Sequence, residues 1–228
     1  MFTGLKLVLF KCIYIPNMVL AMLMNQPESK EEEALALEEV SYTRSAPKPL
    51  TVNSCPNQIL FVGDSRTVGM QMSLPENNHL WICEVGKGYN WLMTVNDTGK
   101  TPAMEIEEYL TGVYGATMVF NMGVNDLGNA DRYIAYINEL CAAHPDDNII
   151  YMSVNPVDEV KSEENKYTVT NDMIAAFNDK VSAELSEDVC WLNSCLDLLE
   201  NGFESWDGLH YTPSTYKYLY NLVTDKLN

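Results

Sequence analysis

Basic residues are scarce in this chain of 228 amino acids: Lys and Arg number 14 against 32 Asp and Glu, for a formal net charge of −18 with the histidines neutral. With no basic patch to offset that field, phosphate backbones are repelled, and nucleic acid is excluded as a partner. Histidine is rarer still. Any chemistry that needs an imidazole must use His79, His144 or His210. Metal-binding spacing is missing too: the six cysteines form no Cys-x-x-Cys, and Cys190 and Cys195 have no neighbouring His or second pair, so no zinc or other metal site is expected. The chain also lacks internal repeats and any clean transmembrane run.

The one long apolar stretch, Leu7 to Met24, follows Lys6 and is interrupted by Lys11, Pro16 and Asn17. An internal Lys costs about 2.5–3.5 kcal/mol at the centre of a membrane helix, so the stretch makes a flawed span. Residues 1–25 nonetheless read best as a signal or membrane-anchor segment, with a tether to the membrane or export and an extracytoplasmic location as the expectation. The alternative is a packed N-terminal helix in a cytoplasmic protein. Residues 26–56, with Glu31-Glu32-Glu33, Pro47 and Pro49, have too little apolar material to offset the entropy of ordering and read as an acidic Pro/Glu-rich linker.

What remains, residues 57–228, is globular in character and long enough for one core. Short apolar runs at Ile59–Val62, Leu80–Glu84, Thr117–Asn121, Asn148–Ser153 and Val189–Leu192 alternate with segments of helical period. Helices are expected near Thr67–Met72, Met104–Val113, Asp131–Ala143, Thr168–Leu185 and Pro213–Leu227, the last with Thr212 as N-cap and Pro213 at its first position. This alternation predicts an α/β fold, a three-layer α/β/α sandwich on a mainly parallel five-stranded sheet.

In such a sheet, segments that follow a strand gather at the carboxyl edge, where ligands bind, and segments that precede one lie at the opposite edge. Ser65 follows the first run, Gly86 and Gly88 the second, Asn125 the third, and Asp207 and His210 the fifth. His79 and His144 each precede a run. Only His210 is therefore expected to meet Ser65.

A serine hydroxyl becomes nucleophilic when an imidazole accepts its proton and an acceptor fixes that ring's tautomer. Ser65, His210 and Asp207 can fill these roles, because a spacing of three lets one turn bring the carboxylate to the ring. Oxyanion donors would be the Ser65 N–H at a helix start, a glycine N–H from Gly88 or Gly86, and the Asn125 amide. Each motif alone has a plain structural reading, as a turn, a self-bonded loop or a cap. Their order and common edge favour chemistry.

The blocks Gly63-Asp64-Ser65-Arg66, Gly123-Val124-Asn125-Asp126 and Asp207-Gly208-Leu209-His210 resemble those of the SGNH (GDSL-like) hydrolases, here in a GDSR-type bacterial form, across roughly residues 57–228. The resemblance implies a flavodoxin-like fold and carries the four name-giving residues onto Ser65, Gly88, Asn125 and His210, with Asp207 as triad acid and no cofactor. The Gly-x-Ser-x-Gly elbow of lipase-type α/β-hydrolases is absent. Arg66 stands where many members carry leucine, and is expected either in a surface salt bridge or against a polar substrate. Tyr89, Trp91 and Asn155 follow strands and are expected to line the substrate pocket, although core packing is the alternative for Trp91. Trp206 and Tyr211 flank the acid and base.

The function expected is a serine esterase or deacylase that removes a small acyl group, acetyl above all, from a carbohydrate or cell-wall glycan. An O-acyltransferase using the same triad and a catalytically silent surface-displayed binding module are the competing readings.

Overall fold

In the computed structural model, which describes residues 58–227, the five apolar runs form one sheet. Its strands are β1 (Leu60–Gly63), β2 (Leu80–Cys83), β3 (Thr117–Asn121), β4 (Asn148–Met152) and β5 (Cys190–Leu192). The order is β2-β1-β3-β4-β5 and every pairing is parallel, so the expectation of a mainly parallel sheet sharpens to a wholly parallel one. β1, β3 and β4 are buried throughout, which explains why they read as near-continuous apolar runs, whereas the edge strands β2 and β5 are partly open.

Helices cover both faces. α1 (Ser65–Ser73), α7 (Ser194–Asn201) and α8 (Pro213–Leu227) pack Met70, Leu198, Tyr216, Leu219 and Val223 against Ile59, Phe61, Val119, Ile150 and Met152. On the other face α3 (Pro102–Gly112), α4 (Ala130–Ala143) and α6 (Asn171–Glu184) bring Ile106, Ile137, Phe177 and Val181 against Leu60, Val62, Met118, Phe120 and Tyr151. The two-residue period of a strand sends Leu60 and Val62 to one layer and Ile59 and Phe61 to the other. Truncating a fully buried ring such as Phe120 to Ala would cost about 3–5 kcal/mol.

Local chemistry sets the helix starts. Thr101 accepts the Met104 N–H ahead of Pro102, and Thr170 accepts the Met173 N–H. Thr212 departs from expectation: its carbonyl receives the Tyr216 N–H, but its hydroxyl meets the Ser214 hydroxyl at 2.8 Å. Four elements escaped the sequence reading, namely α2 (Tyr89–Leu92), a 3₁₀ turn at Leu127–Asn129, α5 (Glu159–Glu164) and α7. None is long enough for a helical period to stand out.

β1 leads out to the edge strand β2 before the chain returns to the other side of β1 as β3. That reversal makes the β1/β3 carboxyl edge the crevice of the sheet. Among the described residues no helix is long and apolar enough to cross a membrane. The segment expected in residues 1–25 and the linker at 26–56 lie outside the described residues.

Candidate active site

Ser65 stands where β1 gives way to α1. Asp64 caps the helix by accepting the Arg66 N–H at 2.9 Å, so Ser65 becomes its first residue, at the positive end of the helix dipole. Its Oγ lies 3.0 Å from His210 Nε2, and His210 Nδ1 lies 2.7 Å from Asp207 Oδ2. A carboxylate only accepts, so Nδ1 carries the ring proton and Nε2 is left to accept from the serine hydroxyl.

Asp207 is held by four donors. Oδ2 also accepts the Tyr167 hydroxyl at 2.9 Å, and Oδ1 accepts the backbone N–H groups of Leu209 and His210 at 3.0 and 2.7 Å. Burial alone would raise its pKa, but the His210 ring, these N–H groups and the Tyr167 hydroxyl outweigh it and bring it down to about 2. The loop closes back on itself where the Trp206 N–H donates to the His210 carbonyl at 2.8 Å. Gly208 sits at φ +93°, and a Cβ there would fall 2.2 Å from the Ser162 nitrogen at α5, so only glycine fits the turn between acid and base.

On the other side of the nucleophile, the loops after β2 and β3 are tied together. The Asn125 amide donates one N–H to the Lys87 carbonyl at 2.8 Å, which leaves its second N–H for another acceptor. Asp126 accepts the Tyr89 N–H at 2.7 Å, the Asn129 amide at 2.9 Å and the Tyr133 hydroxyl at 2.6 Å. A Cβ on Gly88 would lie 2.4 Å from the Asp126 carboxylate, which accounts for glycine there, whereas Gly86 at φ +72° has open space around it. The part Asp126 plays in joining the loops after β2 and β3 has no local mark in the sequence. Tyr167 was missed altogether, because nothing local in its sequence marks it.

Four residues expected at the substrate are engaged within the protein instead. Arg66 is 2% exposed, too deeply buried for a surface salt bridge. It donates to the carbonyls of Leu209, Asn155 and Pro156 at 3.0, 2.6 and 3.2 Å, and lies 5.0 Å from the centre of the Tyr211 ring. These loop carbonyls have no strand partner, and the guanidinium fork satisfies three at once while joining the His210 loop to the loop after β4. Asn155 is buried and accepts the Ser194 hydroxyl at 2.6 Å. Trp91 packs against the core and donates to Glu84 at 3.0 Å, while Tyr89 lies edge-on to Tyr133 and beneath Arg132. The aromatic face of the rim is therefore Trp206, which is 69% exposed.

Asp64 shows the opposite electrostatics to Asp207. Burial pushes it up to about 6, against the Arg66 N–H, the Arg66 charge and His210, while Asp126 adds to the rise. Among the described residues no group of three or more His, Cys, Asp or Glu side chains is gathered as a metal site requires.

No protein-family model and no curated protein matches the chain. Solved structures do. A lipase/acylhydrolase from Enterococcus faecalis aligns with a TM-score of 0.52 and 17% identity over 75% of this chain and 95% of its own. A GDSL-like lipase from Bacteroides thetaiotaomicron gives 0.53 and 19% over 75% and 87%. A member of the lipolytic protein G-D-S-L family from Veillonella parvula gives 0.52 and 13% over 74% and 96%. At such identities the likeness is one of fold: the chain has the α/β architecture of these hydrolase structures.

Proposed function

We propose that this chain is an SGNH-type serine esterase that hydrolyses carboxylic esters through an acyl-enzyme on Ser65. The observation that carries the reading is the unbroken relay from Asp207 through His210 to Ser65 at the carboxyl edge of the sheet. Its fold neighbours, a lipase/acylhydrolase and a GDSL-like lipase, accord with it.

Ser65 Oγ attacks the ester carbonyl carbon as its proton passes to His210 Nε2, and the carbonyl oxygen becomes an oxyanion. The Ser65 and Gly88 N–H groups and the second Asn125 amide N–H stabilise that charge. Collapse of the intermediate breaks the bond to the alcohol, which leaves with the proton from His210. Water then attacks the acyl carbon, giving one proton to His210, and Ser65 recovers that proton as the carboxylic acid departs. Asp207 orients the ring and offsets the imidazolium charge in both halves.

The acetylated carbohydrate is expected from a polar, aromatic-bearing rim of Tyr89, Trp91, the loop from Asn155, Tyr211 and Trp206. Tyr89 and Trp91 pack partly against the core, which leaves Trp206 as the open aromatic face, and the acyl group is read from the walls beside Ser65. The test is direct: full-length protein should turn over p-nitrophenyl acetate and become labelled at Ser65 by a fluorophosphonate, and Ser65→Ala should do neither. Folded wild-type protein inert to both reagents would sink the reading in favour of a binding module.

A further inference from the structure

Resting on the esterase reading, we infer that the enzyme seats a medium-length hydrocarbon acyl chain, longer than acetyl, in a trough that runs from Ser65 along α1. A cavity of about 400 Å³ opens beside the nucleophile, and Ser65 and His210 both line it. Its other walls include Val68, Met72, Val85 and Trp206. Three of these are conspicuously open, Met72 at 81%, Val85 at 64% and Trp206 at 69% exposed. Single apolar side chains on a surface are ordinary, but several converging on one reactive pair are a binding feature.

The direction of the trough follows from helix geometry. Ser65, Val68, Gly69 and Met72 are spaced i, i+3, i+4 and i+7, so they form one stripe on α1 that starts at the nucleophile. From Ser65 to Met72 the stripe is about 10 Å long at 1.5 Å per residue. In the acyl-enzyme the acyl group is bonded to Ser65 Oγ while the alcohol has gone. The wall that begins at Ser65 is therefore the one an attached chain can follow.

The lining also selects hydrocarbon over sugar. It contains no Asp, Glu, Lys or Arg side chain. The Ser73 hydroxyl already donates to the Gly69 carbonyl at 2.7 Å, the Tyr211 hydroxyl donates to the Pro156 carbonyl, and the Tyr216 hydroxyl accepts the Tyr211 N–H at 3.2 Å. A polyol placed here would lose water and gain few hydrogen bonds in return, whereas methylenes would lose only unfavourable hydration.

The experiment measures kcat/KM by pH-stat on full-length protein with ethyl acetate, butanoate, hexanoate and octanoate, and with octyl acetate, the isomer of ethyl octanoate. An aliphatic alcohol is chosen so that no aromatic leaving group competes for Trp206. Activity should rise about twofold to fourfold per methylene buried, and ethyl octanoate should exceed octyl acetate. Met72→Asn and Val85→Asn, both at exposed positions, should lower the octanoate-to-acetate ratio about tenfold or more, while Met72→Leu should keep it. A flat or falling dependence on chain length, or a ratio untouched by both Asn variants, overturns the trough while leaving the esterase reading intact. Octyl acetate as the better isomer moves the chain to the alcohol side and overturns it equally. No turnover of any ester brings down both readings.

Discussion

The protein carries two histidine–aspartate pairs of the same spacing, one at each edge of the sheet, and only one of them faces a serine hydroxyl. At the carboxyl edge His210 binds Asp207 through Nδ1 and faces Ser65 through Nε2. At the opposite edge His144 lies 3.5 Å from Asp147 through Nδ1, but its Nε2 faces the Glu107 carboxylate at 3.0 Å. The spacing is alike in the two places, but the contact is 2.7 Å in the first and 3.5 Å in the second. What differs is the third partner: Ser65, a hydroxyl at the start of a helix, faces His210, whereas a second carboxylate, Glu107, faces His144. The pair alone is therefore weak evidence of catalysis, and its edge of the sheet decides its meaning.

The sharpest way to break this contrast is to remove the groups unique to the carboxyl edge. Ser65→Ala or His210→Ala should lower kcat by about 10⁴–10⁶, because the relay acts as a unit and leaves only binding and oxyanion stabilisation. A residual rate within tenfold of wild type in either variant would refute the assignment. Asn125→Ala should cost about 10²–10³ in kcat, the loss expected for one oxyanion donor. Since Asn125 also ties its loop to Lys87, Asn125→Asp serves as a second variant. It retains an acceptor-bearing side chain of the same size but no N–H, and should be at least as slow.

A smaller effect tests what makes the Asp207 pair distinctive. Tyr167 donates at 2.9 Å to the same Asp207 oxygen that holds His210. Tyr167→Phe should reduce kcat by about threefold to tenfold with KM little changed, as one hydrogen bond to a charged group is lost. It should also move acid denaturation to higher pH, since Asp207 loses a donor that lowers its pKa. An unchanged acid limb would leave Tyr167 as mere packing.

The edge rule needs only the order of strands and motifs, which explains why the five strands, the relay and the idle histidines were all legible in the chain. Side-chain direction was not. Arg66 sits in a motif that elsewhere carries leucine, and a charge is normally read as exposed; its burial depends on carbonyls more than eighty residues away, |i−j| being 89 and 143 to Asn155 and Leu209. Trp91 and Tyr89 follow a strand as pocket residues should, yet the four-residue helix that turns them inward is too short to leave a period. Asp126 and Tyr167 act through partners that no local pattern announces.

Two carboxyl groups at the working edge should also respond to acid in opposite senses. Asp207 is lowered by folding from 3.8 to about 2, so its contribution is present above the unfolded value and lost as pH falls toward 2. Asp64 is raised from 3.8 to about 6, so the folded state holds the extra proton between those values and stability declines as pH rises through them. Asp64→Asn, which keeps an oxygen to cap the Arg66 N–H, should abolish that decline in urea midpoints measured across the interval. Asp207→Asn should instead remove the loss at the acid end. A wild-type midpoint that rises steadily from 3.8 to 6, with Asp64→Asn parallel to it, would contradict the cost assigned to burying Asp64.

The smallest effect belongs to the opposite edge. His144→Ala removes a ring whose partners are Glu107 and Asp147, and a partly exposed pair of this kind is worth about 0–1 kcal/mol. Turnover should stay within about twofold of wild type, because a strand's length, about 15 Å at 3.3 Å per residue, separates this edge from the crevice. His79 offers the parallel case. Its Nδ1 accepts the Ile59 N–H at 3.3 Å, which requires the proton on Nε2, and Nε2 then donates to the Tyr220 hydroxyl at 2.8 Å. A ring with both nitrogens engaged by structure has none to lend to a nucleophile, so His79→Ala should lower the melting temperature and leave kcat alone. A folded His144 or His79 variant that lost ester hydrolysis would show that the two edges are not chemically distinct, and with it the reasoning that selects His210 would fail.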